Sequence, residues 1–431
     1  MKDFATSDSP AVQRQLDRLA ALSLPQGRFG LETIGTLLTR LGEPQQHIPP
    51  AFHVAGTNGK GSTCAFLRAM LEAQGLVVHT ATKPHLVRYN ERIRIAGTLI
   101  SDELLADLLA EVLDTSEDLG PSFFEVTTAA MFLAFSREPA DACVIETGLG
   151  GRFDATNVLS HPAAVGIASL GIDHEAFLLR PEDGTPEDPL ARIAFEKAGI
   201  IRPGAPACTM AYPESAELEI ERAALAAGAP LHMRGKDWDV TSVDVIEYRD
   251  RHGALTLPLP MLPGAHQADN AALAIAMLRH QDRVTVTPEA MAGGILAARW
   301  PARLQLLARG PLVGSTGSRE VWLDGGHNPD AGLALARHFA DRHLHLIIGM
   351  LANKNPDAII DPLAESVLSV QVVAVPGQDS HPPRAFGPDA RGAVDVASAL
   401  AALPDDDIPV LIAGSLYLAG EVLRTNGEVP D

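Results

Sequence analysis

The chain has 431 residues, 46% hydrophobic and 20% charged, enough for more than one packed core. Its 34 Lys and Arg face 54 Asp and Glu, a formal net charge of −20. That balance repels nucleic acid and anionic membrane and argues against a polyanion binder. Cys64, Cys143 and Cys208 stand singly, with no CxxC or His/Cys cluster, which argues against a zinc site or a disulfide framework. Residues 1–10 carry no apolar stretch of the kind a signal peptide needs, and the longest apolar runs, 163–172 and 344–352, are about half a membrane span. A soluble, cytoplasmic chain with neither nucleic-acid nor membrane partners is expected.

Short apolar or β-branched runs at 52–55, 76–81, 142–146, 163–169 and 206–210 read as buried strands. Longer amphipathic segments at 61–74, 102–113, 124–135 and 213–227 read as helices between them. Such alternation predicts an α/β fold with a mostly parallel sheet covered on both faces. Residues 238–257 alternate Val, Tyr and Thr about an Arg251-His252-Gly253 turn and predict an antiparallel hairpin. A second alternating series follows Trp300, with strands at 303–307, 321–324, 344–348, 370–375 and 410–413 and helices at 329–339, 355–366 and 394–403. The Ala- and Gly-rich segment 291–298 reads as the boundary between a first domain, 1–297, and a smaller second one, 298–431. Residues 180–189 (RPEDGTPEDP) read as an exposed acidic insertion and 425–431 as a frayed tail.

Gly56-Thr57-Asn58-Gly59-Lys60-Gly61-Ser62 follows a predicted strand and opens a predicted helix. Glycines let backbone N–H groups turn toward phosphate, and the helix N-terminus adds partial positive charge. Lys60 can reach the β- and γ-phosphates, and the Ser62 hydroxyl can meet Mg²⁺. The spacing departs from the standard phosphate loop, since position 54 is Val54 and Gly61 separates Lys60 from Ser62. Glu146 ends an apolar strand, where it is either a surface cap or an oxygen ligand for a hard cation beside a triphosphate. The Gly148–Gly151 run is no dinucleotide fingerprint, because the third Gly of that pattern would fall on Phe153. His174 follows a buried strand, where a lone His is commonly structural, and Lys197 lies in a predicted helix, where a solvated Lys is the plain alternative.

The loop resembles that of the Mur ligase superfamily and, within it, the folylpolyglutamate synthase and dihydrofolate synthase family. Other motifs run in the same order: Leu31-Glu32-Thr33-Ile34, Pro84-His85-Leu86 with Asn90-Glu91-Arg92-Ile93, and Gly148-Leu149-Gly150-Gly151-Arg152-Phe153-Asp154-Ala155-Thr156-Asn157. Glu196-Lys197-Ala198-Gly199-Ile200, Trp300-Pro301-Ala302-Arg303 and Asp324-Gly325-Gly326-His327-Asn328-Pro329 complete the set. The resemblance implies a phosphate-loop-containing Mur-ligase-like ATPase domain followed by a smaller Rossmann-like domain that binds glutamate. It implies that Ser62, Glu146 and His174 hold Mg²⁺, two ions per site, and that Lys197 is carbamylated in support of the metal. Ser122, Phe123, Phe124, Glu125, Phe153, Asp154 and Ala155 are then the pterin contacts, an aromatic face with carboxylates for pterin N–H donors. Asn270 is the adenine contact, Arg303 the ATP-phosphate arginine and Asp324 a nucleotide contact. His327 is a further candidate, and the two domains are expected to close to complete the site.

One departure stands out. Where the family has a metal-ligating Ser before Pro-His-Leu, this chain has Lys83, whose ammonium cannot donate to a metal. Lys83 is expected to supply positive charge to the phosphates; the alternatives are a first metal held by Ser62, Glu146 and phosphate alone, and a side chain that simply points to solvent. The implied reaction is ATP- and Mg²⁺-dependent joining of L-glutamate to dihydropteroate and reduced folates through an acyl phosphate, with Lys60, His174, Lys197 and Arg303 as reaction residues. Rival readings are one of the two ligase activities alone, and a nucleotide-driven binding protein. A peptidoglycan-precursor ligase would need a further N-terminal domain, for which only about 50 residues precede the loop. A monomer is expected.

Overall fold

Most of the expected strands form, and their alternation decides which faces they bury. The computed structural model describes residues 6–22 and 30–431, so the first five residues of the segment read for a signal peptide lie outside it. The chain divides into two compact units. The first takes in described residues up to Pro84 together with Tyr89–Met261 and Gln267–Ala298; the second comprises His85–Arg88, Leu262–His266 and Arg299–Asp431.

The first unit is built on β1 (Ala51–Ala55), β2 (Val78–Ala81), β3 (Ile93–Ile95), β4 (Thr98–Leu99), β5 (Ala142–Glu146), β6 (Ala164–Ile167), β7 (Ala207–Thr209) and β8 (Leu231–Met233). Their order is β4-β3-β2-β5-β1-β6-β7-β8, and all run in one direction except β3, which is antiparallel to both β2 and β4. Its helices are α1 (Pro10–Ala20), α2 (Glu32–Arg40), α3 (Lys60–Ala73), α4 (Asp102–Thr115), α5 (Phe123–Arg137), α6 (Glu175–Leu178), α7 (Pro189–Ala198), α8 (Glu214–Ala227), α9 (His266–Arg279) and α10 (Pro288–Ala297). Ala51, Ala55, Cys143, Ile145, Val165 and Ile167 share one sheet face, covered by α5 with α1, α2 and α4 behind it and by α7 and α8 further along. The opposite face meets α9, whose Met277 fills the space over Gly166.

The expected hairpin is a three-stranded antiparallel meander, β9 (Trp238–Ser242), β10 (Ile246–Asp250) and β11 (Gly253–Leu257), its second turn at Arg251-His252. Segment 291–298 forms the second half of α10 and its end, and the division between the two units falls after Ala298; α10 packs on α3 so closely that Gly294 abuts the Met70 backbone.

The second unit carries β12 (Gln305–Leu306), β13 (Val321–Leu323), β14 (Leu344–Ile348), β15 (Val367–Val372), β16 (Arg391–Gly392) and β17 (Val410–Ala413) in the order β12-β13-β17-β14-β15-β16. Only β12 is antiparallel. Helices α11 (Pro329–His338) and α12 (Asp357–Leu363) cover the face of Leu346, Ile348 and Leu411. Helices α13 (Val396–Ala401) and α14 (Leu416–Asn426) cover the face of Ile347, Val410 and Ile412. The C-terminal tail is not frayed. Asn426, 2% exposed, accepts from the N–H groups of Leu312 and Val313 and donates to the Ala308 carbonyl, and Glu428 accepts from Ala308 N and Gln305 Nε2. Among the described residues no helix is long and apolar enough to cross a membrane.

Candidate active site

Open parallel sheets bind ligands beyond the C-terminal ends of their strands, where the crossovers diverge. In the first unit the ends of four adjacent strands carry the sequence candidates: Lys83 after β2, Glu146 and Gly148 after β5, Gly56–Lys60 after β1, and Asp173-His174 after β6. Gly56, Lys60, Gly148, Gly150, His174 and Lys197 line one small cleft there. A larger hollow of about 320 Å³, lined by His47, Phe135 and Glu138 among others, lies before the starts of β1 and β5 and holds none of the candidates.

The phosphate loop is braced by its neighbour. Thr57 N donates to the Ser169 carbonyl at 2.8 Å, and Thr57 Oγ1 exchanges hydrogen bonds with the Gly171 backbone. Gly59 caps α3 at φ 82° and leaves no space for a Cβ, which would sit 2.4 Å from Asn270 Oδ1. Asn270, buried on α9, is therefore placed directly against the loop, and its Nδ2 donates to Gln267 Oε1. Gly61 and Ser62 occupy the first turn of α3, with Ser62 buried.

Two lysines converge on one carbonyl. Lys60 Nζ donates to Gly56 O at 3.0 Å and to Thr57 O at 3.2 Å, and Lys197 Nζ donates to the same Gly56 O at 2.8 Å. Lys197 is 4% exposed, so the solvated helix-face lysine of the plain alternative is not what forms. Burial first, and the neighbouring Lys60 ammonium next, bring its pKa from 10.5 to about 7. Its helix is held close because Gly151 lacks a Cβ: one there would lie 2.8 Å from the carbonyl oxygens of both Glu196 and Lys197.

Glu146 is 3% exposed and accepts from the Lys83 backbone N–H at 3.1 Å. The Lys83 side chain does not point to solvent. It lies over Gly148, and its Nζ stands 3.9 Å from Asp154 Oδ1, both side chains nearly buried. Burial lowers the Lys83 pKa, with Asp154 opposing. Asp154 accepts from Gly148 N and Leu149 N through Oδ2, and from Thr156 N and Oγ1 through Oδ1. The carboxylate thereby fixes the Gly148–Leu149 turn and the start of the following segment. Because the Thr156 hydroxyl donates to Asp154, it accepts from His53, assigning the proton of that imidazole to Nε2. His53 is fully buried, which drops its pKa to about 3 and keeps it neutral.

Ser122 and Glu125 form a capping box at the start of α5: Ser122 Oγ accepts from Glu125 N, and Ser122 N donates to Glu125 Oε2. Their polar groups fix the start of the helix. Phe123 packs edge-on against Tyr89 and Phe124, whereas the Phe124 ring is 39% exposed. Phe153 lies under the Arg152 guanidinium, 4.2 Å from its ring centre, and Ala155 is buried beside it. His174 caps α6 at φ 56°, a conformation that strains a non-glycine residue, with its N–H on Asp173 Oδ1 at 2.6 Å.

In the second unit Arg303 is presented by a tight turn whose flanking residues, Ala302 and Leu304, both have positive φ. Asp324 fastens this turn, accepting from Leu304 N through Oδ2 and from Gly326 N through Oδ1. His327 Nδ1 lies 3.0 Å from the Gly325 carbonyl, and Asn328 caps α11. The turn also explains why β12 shrinks to Gln305–Leu306 from the expected 303–307.

Sequence reasoning gave no role to His53, Thr156, Arg152 or Glu182, which join the site through contacts dozens of residues apart. The donor chemistry suits a hard cation completed by phosphate. Glu146 supplies carboxylate oxygens and Ser62 a buried hydroxyl, and the Thr63 and Thr147 hydroxyls beside them are buried without a hydrogen-bond partner. Among the described residues no group of three or more His, Cys, Asp or Glu assembles a metal site unaided.

No protein-family model matches the chain. It is 32% identical over 427 residues to the dihydrofolate synthase/folylpolyglutamate synthase of Bacillus subtilis, covering 92% of this chain and 94% of that one. Its structure is similar to that of Escherichia coli FolC in complex with DHPP and ADP, with a TM-score of 0.85 and 30% identity over 97% of each chain. It is also similar to a bifunctional folylpolyglutamate synthase/dihydrofolate synthase with Mn, AMPPNP and L-glutamate bound, at a TM-score of 0.83 and 30% identity over 98% of this chain and 99% of that one.

Proposed function

We propose, since this chain belongs to the dihydrofolate synthase/folylpolyglutamate synthase family of ATP-dependent ligases, that it joins L-glutamate both to dihydropteroate and to reduced folates by way of an acyl phosphate. The observation that carries the reading is the meeting of phosphate loop, Glu146, Lys60 and Lys197 at the ends of adjacent strands. We assign the β- and γ-phosphates to the loop amides of residues 56–62, the α3 N-terminus and Lys60, with Asn270 at the adenine. Arg303, Asp324 and His327 are assigned to the nucleotide from the second unit, whose sheet we assign to glutamate.

The substrate carboxylate attacks the γ-phosphorus in line, so an O–P bond forms as the bridging bond to ADP breaks. The glutamate amine then attacks the acyl carbon, the tetrahedral adduct collapses with loss of phosphate, and the amine proton departs. Lys60 and Arg303 neutralise charge gathering on the phosphoryl oxygens. Ser62, Glu146 and His174 would hold the divalent ions, two per site, which supply further charge neutralisation when bound. With a pKa near 7, Lys197 offers a neutral amine to carbon dioxide, and its carbamate would convert one of two adjacent cations into an anion facing the other.

Phe124 and Phe153 are assigned as the stacking faces for the pterin, with Ala155 beside them. Ser122, Phe123, Glu125 and Asp154 shape that site by holding α5 and the Gly148 turn. Lys83, locked between Asp154 and Glu146, supplies a fixed positive charge where the anionic substrates meet. Work as a monomer in the cytoplasm completes the reading. Mass spectrometry of products tests it: dihydropteroate and tetrahydrofolate should each gain one glutamyl residue. Gain by only one of them would reduce the enzyme to a single activity.

A further inference from the structure

Residues 179–188 join α6 to α7, and most of this acidic segment is exposed, as its composition predicts. Glu182 is the one acidic side chain of the segment that is half-buried. Its carboxylate accepts from Arg152 through Nη2 at 2.6 Å and Nη1 at 3.2 Å, and from Arg192 Nη2 at 3.3 Å. Glu196 takes another edge of the same Arg152, from Nη2 at 2.8 Å and Nε at 3.2 Å, and lies 2.9 Å from Arg192 Nη2. Two guanidiniums and two carboxylates therefore alternate in a closed, mostly buried ring of zero net charge.

The members of the ring come from three places that wall the cleft. Arg152 ends the Gly148–Gly151 turn, and its backbone N–H donates to Glu196 O at 2.7 Å. Arg192 and Glu196 lie one turn apart on α7, next to Lys197. Glu182 follows α6, the helix that His174 opens, and Arg192 Nε holds the Leu178 carbonyl at that helix's far end at 3.1 Å. Leu178 itself lines the cleft with Gly150, His174 and Lys197. Without Glu182, two guanidiniums would share one carboxylate, and the segment bearing His174 would lose its ionic tie to the Lys197 helix.

We propose that Glu182 is a positioning residue for the ligase reaction, fixing α6 with His174 and the Gly148–Arg152 turn against the helix that carries Lys197. The proposal rests on the reading of His174 and Lys197 as reaction residues. Its test compares Glu182→Gln with Glu187→Gln, which removes the same charge from an exposed position of the same segment. Glu182→Gln should lower kcat and weaken Mn²⁺ binding to the AMPPNP-loaded protein, read by electron paramagnetic resonance, each by about tenfold, while Glu187→Gln stays within about twofold of wild type.

A lower melting temperature for Glu182→Gln with kcat and Mn²⁺ affinity unchanged would make the residue merely structural and overturn the proposal. Should Glu182→Gln fail to fold, Glu182→Asp keeps the charge with a shorter reach. An intermediate kcat there supports positioning, and a wild-type kcat refutes it. If His174→Ala and Lys197→Ala themselves retain full turnover, the underlying reading fails and takes the proposal with it.

Discussion

Replacing Lys60 by methionine should weaken carbamate formation on Lys197, and the structure sets the scale of the effect. Both side chains donate to Gly56 O; burial and the Lys60 ammonium bring Lys197 from 10.5 to about 7. At pH 7 about half of such amines are neutral, against about one in 3,000 for an ordinary lysine, a gain of about 1,500-fold in the form that attacks carbon dioxide. The amine lone pair bonds to the carbon, one proton leaves, and the resulting anion faces Lys60 as an opposite charge. Lys60→Met removes both the repulsion that favours the neutral amine and the cation that holds the product. Protein equilibrated with ¹³C-bicarbonate at pH 7 should show a bound carbamate resonance that is absent in Lys197→Met and reduced in Lys60→Met. A resonance that survives Lys197→Met, or an occupancy in Lys60→Met equal to that of wild type, would refute the reasoning.

Three further outcomes are expected. Lys83→Ser removes the fixed cation beside Asp154, so its turnover should fall, or its half-saturating Mg²⁺ concentration shift, by about tenfold; identical Mg²⁺ dependence and turnover would end that assignment. Gly151→Ala places a methyl 2.8 Å from two backbone carbonyls of the Lys197 helix, and kcat should drop on the order of 100-fold through misplacement, whereas a loss within about twofold would show that the helix gives way harmlessly. His280 is buried in a stack with His232 and faces Asp250 and His252, and burial foremost lowers its pKa to about 4. A depressed folded-state pKa means that the unfolded chain binds the extra proton first, so stability is lost as pH falls from about 6.5 toward 4, by about 3 kcal/mol over the whole window. His280→Phe should narrow the gap between urea midpoints at pH 7 and pH 4.5, and an unchanged gap would contradict this.

Features encoded by neighbouring residues were legible. The phosphate loop, the strands that end in Ala55 and Glu146, and the Arg251-His252 turn all rest on glycine placement and apolar runs of a few residues. Helices α9 and α10 escaped because they are rich in Ala and mostly buried, so their sequences show no clear polar face. The Thr287-Pro288 cap and first-turn pair was the signal that marks α10. The engagement of Asp154 was invisible for another reason. A sequence shows that a carboxylate is present but not that folding turns it onto the amides of Gly148 and Leu149. Likewise the pairing of Lys83 with Asp154, and of Glu182 with Arg152, depends on which strand ends the topology brings together.

Phosphate release from ATP with Mg²⁺ measures the central claim most directly, with L-glutamate and dihydropteroate supplied together, singly and not at all. Release that requires both substrates is the predicted result, because phosphate leaves only after the acyl phosphate has formed and the glutamate amine has attacked it. Release at the same rate whether or not either substrate is present would contradict the ligase account and leave a nucleotide-hydrolysing binding protein.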